Sequence, residues 1–449
     1  MKTTAIIAEY NPFHNGHLYQ LNEARARSGA DYIVIIMSGN FVQRGEPALI
    51  DKYARTRMAL ESGADLVLEL PAAYACSSAE SFAGAAVAIL DGLGAVNTLC
   101  YGSEFGDSAL THTLSSLLLE EPASFSRHLR QLLTEGFTYP QAWAAAAKEY
   151  LTQCEGCVPA CFDTILASPN WILGLEYQKA LKRLHSSIEP LPILRRGDYH
   201  SEAIPDEGSQ SYASASAIRR ILLNKKHPQE KSSPDVSRLS SDEQSPCAGS
   251  LLAVQLPPCT LRQLTGARLL EADDFSAALG YALLRCRDTE LTSYLDISPD
   301  LAARIRRLLP RYQSFASFTD ELKTRQLTRS RVSRALLHLL LDIRTDAFGR
   351  YRQDGYAYYA RVLGFRRQSL PLFALIKQNG RIPLLTKMAD ARKVLTDFYG
   401  TDRPQRLESA LSLLDTDLFA ASLYELTAAS GSCHPPKNEF SNGLIILDS

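Results

Sequence analysis

Ile6-Ile7-Ala8-Glu9-Tyr10-Asn11-Pro12-Phe13-His14-Asn15-Gly16-His17 is the stretch on which the reading of this chain turns. An apolar strand ends near Ala8, a turn containing Pro12 follows, and a helix opens at about Asn15. At the carboxyl end of the first strand of a parallel sheet, such a turn stands where ligands of open α/β folds bind. His14 and His17 are three residues apart and so share one face of the first helical turn. Gly16 lacks a Cβ, which would let a flat base or a phosphate approach the backbone. The helix N-terminus adds N–H donors and partial positive charge suited to phosphate. Two imidazoles there can donate to phosphate oxygens that gain charge as a pentacoordinate phosphorus forms, which is electrostatic stabilisation rather than nucleophilic attack. A cap and a packing residue without chemistry is the plain alternative. The complete strand–turn–His-x-Gly-His–helix unit favours the chemical reading.

Working outward, Thr4–Ala8, Tyr32–Met37, Leu66–Leu70 and Val96–Tyr101 are strand-like runs rich in Ile, Val and Leu. Helical patterns at Asn15–Arg27, Ile50–Ser62 and Ser78–Leu90 lie between them. The alternation predicts an α/β domain with a Rossmann-like parallel sheet, whose buried strands are apolar on both faces. The pattern turns helical from Ser108 to Leu151; a further strand is expected at Ile188–Leu194, and another helix near Ser214–Ile218. Residues 1–223 are therefore read as one α/β domain. Residues 224–249, rich in Ser, Pro, Lys, Asp and Glu, read as a flexible insertion or linker. Residues 250–426 read as a mostly α-helical domain without strands, and 427–449 as a polar tail.

The 449 residues exceed what one ordinary core organises, so two or three domains are expected. Hydrophobic residues at 45% and charged residues at 22% are a globular balance. The longest apolar runs are too short to cross a bilayer. No apolar segment with a cleavage site follows Met1-Lys2-Thr3-Thr4, so a cytoplasmic location is expected, with no membrane partner. Nine cysteines, an odd number, read as reduced thiols. Net charge is −1, yet residues 301–400 hold 20 Lys+Arg against 7 Asp+Glu, a net of +13, which leaves −14 elsewhere. That asymmetry suggests a polyanion held by one region. Neither Gly-x-x-x-x-Gly-Lys nor Gly-x-Gly-x-x-Gly occurs, so ATP would have to be held at the histidine site.

The segment Ile6–His17 resembles the signature of the His-x-Gly-His nucleotidyltransferase superfamily, and the longer stretch Ala8–Gln20 carries a narrower likeness. With Ser38-Gly39-Asn40-Phe41-Val42-Gln43-Arg44-Gly45-Glu46-Pro47 and Gly63-Ala64-Asp65-Leu66-Val67-Leu68-Glu69-Leu70-Pro71 it is similar to one family within it, the bacterial tRNA(Met) cytidine acetate ligases. Tyr101-Gly102-Ser103-Glu104, Ser168-Pro169-Asn170, Leu173-Gly174-Leu175-Glu176-Tyr177 and Tyr212-Ala213-Ser214-Ala215-Ser216-Ala217-Ile218-Arg219 extend the likeness. It is dense over roughly the first 220 residues and looser beyond. The resemblance implies an enzyme that adenylates acetate with ATP and passes the acetyl group to N4 of the wobble cytidine of elongator tRNA(Met), without acetyl-CoA. Carried over residue by residue, it places ATP contacts on Ile7, Ala8, Glu9, Tyr10, Asn11, Pro12, Phe13, His14, Asn15, Gly16, His17, Leu18, Tyr19 and Gln20. Gly102, Asn170 and Arg195 or its neighbour Arg196 complete the set.

Other constellations carry two readings each. Ser214, Ser216 and Arg219 stand at a junction into a helix, either as a clasp for the β- and γ-phosphates or as an N-cap with exposed arginines. Beside the histidines the phosphate motif is preferred. Arg44, Lys52 and Arg55 follow the second strand and could position acetate, phosphates or cytidine; a solvated helix face is the alternative. Cys154, Cys157 and Cys161 have the spacing of a thiolate pair plus one, but no fourth ligand stands near in sequence, so free thiols are expected and no bound metal. Mg²⁺ is expected to arrive with ATP, whose phosphates it usually rides on. Arg331 and Arg334 line one side of an amphipathic helix, and Arg366 and Arg367 follow a run holding Tyr356, Tyr358 and Tyr359. Arginines on phosphates and aromatics on unpaired bases suit tRNA; an ordinary Arg-rich helical region is the alternative. Two other functions remain: a small-molecule adenylyltransferase, which would leave the basic region idle, and a non-catalytic RNA-binding protein, against which intact His14, Gly16 and His17 speak.

Overall fold

Side chains alternate across the first strands. Ala5, Val34 and Ile36 enter one apolar layer, while Ile6, Ile33, Ile35 and Met37 enter the other. Both faces are buried, which is why these strands read as unbroken apolar runs. The computed structural model describes the chain except residues 107, 138, 156–157, 159–161, 197–210, 227–251, 287–290, 432–434 and 449.

The strands are β1 (Thr3–Ala8), β2 (Tyr32–Ser38), the short antiparallel pair β3 (Phe41–Val42) and β4 (Glu46–Pro47), β5 (Leu66–Leu70), β6 (Thr98–Ser103) and β7 (Glu189–Leu194). Within the main sheet, β5-β2-β1-β6-β7 are neighbours in that order and all parallel. The helices Asn15–Ser28, Lys52–Glu61 and Ala79–Gly92 fall where the 3.6-residue pattern puts them. Three helices between Ser108 and Glu155 follow β6. The helix Ala215–Lys226 runs past Leu223 into the segment read as a linker, most of which lies outside the described residues.

The region read as strand-free contributes to the same sheet. β8 (Ala360–Arg366) pairs antiparallel with β5; β9 (Leu384–Leu385) and β10 (Ile445–Leu447), the latter from the tail, both pair parallel with β8. The other described elements of residues 250–426 are helices, as expected, among them Arg329–Leu340 and Pro404–Ala429. Tyr356, Tyr358 and Tyr359 are core residues here, which corrects their reading as a stacking surface. Tyr356 packs edge-on against Tyr74, and the Tyr359 hydroxyl donates to buried Asp417 (2.7 Å). Of the cysteine triplet, Cys157, Cys161 and the side chain of Cys154 lie outside the described residues. Among the described residues no helix is long and apolar enough to cross a membrane.

β8 joins the sheet through charge. Arg361 pairs with Glu69 of β5 (2.7 Å) and with Glu439 from the tail, and Lys52 pairs with both carboxylates (2.8 and 3.1 Å). All four side chains are at most 5% exposed. Burial alone would raise the pKa of Glu439, but Lys52 and Arg361 outweigh it and hold the carboxyl down to about 2. The group is thus depressed from its ordinary 4.5, so its contribution to stability is present above that value and is lost as the pH falls toward about 2. Glu439→Gln should therefore cost about 3–5 kcal/mol at neutral pH by leaving an uncompensated buried cation. In denaturant melts the gap to wild type should shrink as the pH drops below 4.5; equal midpoints at pH 7 would contradict this account.

Candidate active site

His14 is the N-cap of the helix Asn15–Ser28, and with His17 it closes a capping box. His14 Nδ1 accepts the Gly16 N–H (3.0 Å), and His17 Nδ1 accepts the His14 N–H (3.3 Å). With each Nδ1 occupied as an acceptor, a neutral ring carries its proton on Nε2. The rings stack with centroids 3.8 Å apart, an arrangement that disfavours charge on either. Burial, then Arg195 and Arg219, lower the pKa of His14 to about 3; burial, His14 and Arg195 lower that of His17 well below its ordinary value. The pair is two neutral N–H donors. Gly16 is required for a reason unlike the one its sequence suggests: a Cβ there would stand 2.8 Å from the His14 ring, so the glycine makes room for the cap.

The two histidines line a cavity of about 180 Å³ at the carboxyl end of β1. Ile7, Ala8, Glu9, Gln20, Gly102, Asn170, Arg195, Ser214, Ser216, Arg219 and Arg44 line the same cavity, so segments far apart in sequence converge as anticipated. Glu9 Oε1 accepts the Gln43 N–H (2.9 Å), and Arg219 donates to the Asn11 carbonyl (2.8 Å). Ser214 is the N-cap of the helix Ala215–Lys226, its hydroxyl accepting the Ala217 N–H (3.1 Å), and it also lines the cavity. Glu104, unassigned from sequence, orients the opposite wall. It accepts from Asn170 Nδ2 (2.6 Å) and Trp171 N (2.9 Å), and Asn170 Oδ1 in turn accepts from Arg195 (3.2 Å). Phe82, Tyr101, Leu173 and Tyr177 form an apolar wall that only a three-dimensional view supplies. Arg195 reaches the cavity; Arg196 lies over the Tyr19 ring (4.5 Å) in an adjoining recess that Gly16 and Tyr212 help line.

Tyr10, Asn11 and Phe13 are buried beneath the turn rather than on the cavity wall, and Pro12, Asn15, Leu18 and Tyr19 are likewise not among the residues lining the main cavity. Lys52 and Arg55 are corrections. Both are fully buried and neither lines the cavity: Lys52 belongs to the ion cluster, and Arg55 donates to the carbonyls of Glu9 (2.7 Å), Ser38 (2.9 Å), Gly39 and Ile50. The four arginines proposed for RNA separate. Arg334 lines a second cavity that adjoins the first, and Arg331 stands exposed one turn earlier on the same helix. Arg366 sits at the amino-terminal end of β5, where its N–H donates to the Asp65 carbonyl, and Arg367 pairs with Asp448; this is the sheet edge remote from the site.

The HIGH Nucleotidyl Transferase family model matches residues 1–437. The chain is 34% identical to the tRNA(Met) cytidine acetate ligase of Acetivibrio thermocellus over all of both chains. It is 37% identical to that of Clostridium kluyveri over 86% of this chain and 90% of the relative. The chain belongs to the tRNA(Met) cytidine acetate ligase family of HIGH nucleotidyltransferases. Among solved structures, Thermotoga maritima TmcAL bound with alpha-thio ATP superposes with a TM-score of 0.85 at 28% identity, covering all of both chains. Its apo form gives a TM-score of 0.86.

If the Nε2–H groups of these two neutral rings serve the reaction, ATP–pyrophosphate exchange should show no limb near pH 6.5 from either histidine. His17→Ala should raise the activation barrier by about 2–4 kcal/mol, the effect of losing one transition-state donor. His14→Asn keeps a side-chain acceptor for the cap and removes the imidazole donor. It should retain wild-type thermal stability while exchange collapses; normal exchange in this variant would remove the role.

Proposed function

We propose that this chain is an ATP-dependent ligase that activates acetate and transfers the acetyl group to N4 of the wobble cytidine of elongator tRNA(Met). The observation that carries the reading is the neutral His14/His17 pair, set with Arg44, Arg195 and Arg219 around one cavity in a chain of this family. An acetate oxygen attacks the α-phosphorus, the bond to the bridging oxygen breaks, and pyrophosphate leaves with the electron pair. The Nε2–H donors meet the charge that grows on the α-phosphate oxygens, while the arginines hold the phosphates. In the second step N4 attacks the acyl carbon, the bond to the adenylate oxygen breaks, AMP leaves, and N4 gives up one proton to solvent. The acyl donor is the adenylate, so acetyl-CoA has no part.

Glu9 is the one carboxylate among the described residues of the cavity wall, and no group of three His, Cys, Asp or Glu among the described residues could hold a metal. A dication brought in on the ATP phosphates fits that lining, because Mg²⁺ keeps most of its waters and needs few protein ligands. A chain that consumes ATP and modifies tRNA belongs in the cytoplasm. The first 223 residues carry activation in this reading, and the basic region from 250 to 426 presents tRNA.

Incubation with ATP, labelled acetate and bulk tRNA should place label on one tRNA species, and pyrophosphate exchange should require acetate. Exchange driven by a mononucleotide instead would make the chain a small-molecule adenylyltransferase. Replacing Arg331 and Arg334 with Gln should weaken tRNA binding and lower its salt slope by about one for each phosphate that is no longer neutralised. The same change at Arg366 and Arg367, on the remote edge, should leave both as they are.

A further inference from the structure

A second cavity, of about 570 Å³, shares Gln43, Arg44, Asn170 and Leu173 with the activation cavity and so adjoins it. Its far side is made by the first turn of the helix Arg329–Leu340, from the C-terminal region. That helix and the β3–β4 turn are in intimate contact. Ser333 Oγ donates to the Gly45 carbonyl (2.8 Å), and a Cβ on Gly45, whose φ is +77°, would collide with the Arg334 backbone. The turn bearing Gln43 and Arg44 is thus held in place by the helix that bears Arg329 and Arg334.

The lining is two-sided. Arg329, paired with Asp320 (3.3 Å) and with Glu46 (3.1 Å), itself a lining residue, and Arg334, paired with Asp296 (3.5 Å), supply the cations of one side. Ala79, Pro169, Ile172 and Leu173 supply an apolar wall. Cations spaced along an apolar wall suit a nucleotide taken out of a loop, its base against the wall and its flanking phosphates on the arginines. Enzymes that modify a base reach it by extruding it, at least cost where it is already unpaired. The recess beside Tyr19 on the other side of the histidines is only about 30 Å³, too small for a nucleoside.

We propose that the second cavity is the acceptor site, which receives the cytidine of the RNA and delivers N4 across the Gln43/Arg44 threshold to the acyl-adenylate. This rests on the ligase reading, and names where its second substrate enters. The amine can then approach from the side opposite the recess, while the nucleotide stays in the activation cavity.

The test fills the cavity without touching the activation wall. Ser330→Trp places a ring from the half-buried first turn of the helix, and Ala79→Phe does so from the facing wall. Each variant, at wild-type stability by thermal melting, is assayed for acetate-dependent ATP–pyrophosphate exchange and for acetyl transfer to tRNA. Expected is unchanged exchange with transfer kcat/KM down by roughly tenfold or more, a barrier change of about 1.4 kcal/mol. Undiminished transfer in both variants overturns the assignment. So does loss of exchange in both, which would make the cavity part of the activation step. Failure of the ligase reading itself shows separately, as wild-type exchange that ignores acetate.

Discussion

Four backbone carbonyls converge on the guanidinium of Arg55, and the site is built over that convergence. The carbonyls belong to Glu9, Ser38, Gly39 and Ile50, at or just beyond the carboxyl ends of β1 and β2 and at the entry to the next helix. There the sheet ladder runs out and the chain turns away, and a buried carbonyl left unpaired is costly. A planar cation with five donors satisfies all of them at once with charge-assisted bonds. One turn earlier on the same helix, Lys52 reaches Glu69 at the end of β5, and Glu69 reaches Arg361 on β8. Carbonyl by carbonyl and charge by charge, the ends of four strands are held level. From that platform Glu9 receives the Gln43 N–H, and the turn that follows it carries His14.

How much of this is legible in the sequence depends on how local the cause is. The parallel strands are legible because burial on both faces demands an unbroken apolar run, and the histidine unit because cap, spacing and strand end lie within a dozen residues. Lys52 and Arg55 are not, since charges on an exposed helix and charges buried against distant partners look alike until Glu69 and Glu439 are brought beside them. β8 escapes for the same reason. Its sequence, Ala360-Arg361-Val362-Leu363-Gly364-Phe365-Arg366, is bracketed by arginines that read as surface, yet Arg361 is 2% exposed and neutralised by acids from β5 and the tail. Tyr358 and Tyr359 are misread in parallel: aromatics among arginines resemble an RNA platform, and only burial shows them to be core.

The basic block has two destinations. Arg361, Arg367, Arg381 and Arg392 pair with Glu69 and Glu439, Asp448, Asp91 and Asp415, acids that all lie outside residues 301–400. Part of the net +13 is therefore spent holding the C-terminal region to the acidic remainder of the chain. Arg329 and Arg334 differ in place, since both line the second cavity, with Arg331 exposed between them on the same helix. A count of charge along the sequence merges these two roles, and position separates them.

The division between charged and neutral groups inside the activation cavity follows from what catalysis requires. In the ligase reading, Arg44, Arg195 and Arg219, which line the cavity, would attract phosphates equally before and during reaction and so favour binding more than turnover. A protonated histidine would behave in the same way and would also tighten the hold on departing pyrophosphate. Neutral Nε2–H donors bind weakly to an oxygen of ordinary charge and gain most as charge accumulates on it. Burial and the arginines themselves keep the two imidazoles neutral, and each Nδ1, committed to a backbone N–H, fixes which edge carries the proton. In that reading, the cations that would hold the substrate also help burial to keep neutral the groups that would serve its transition state.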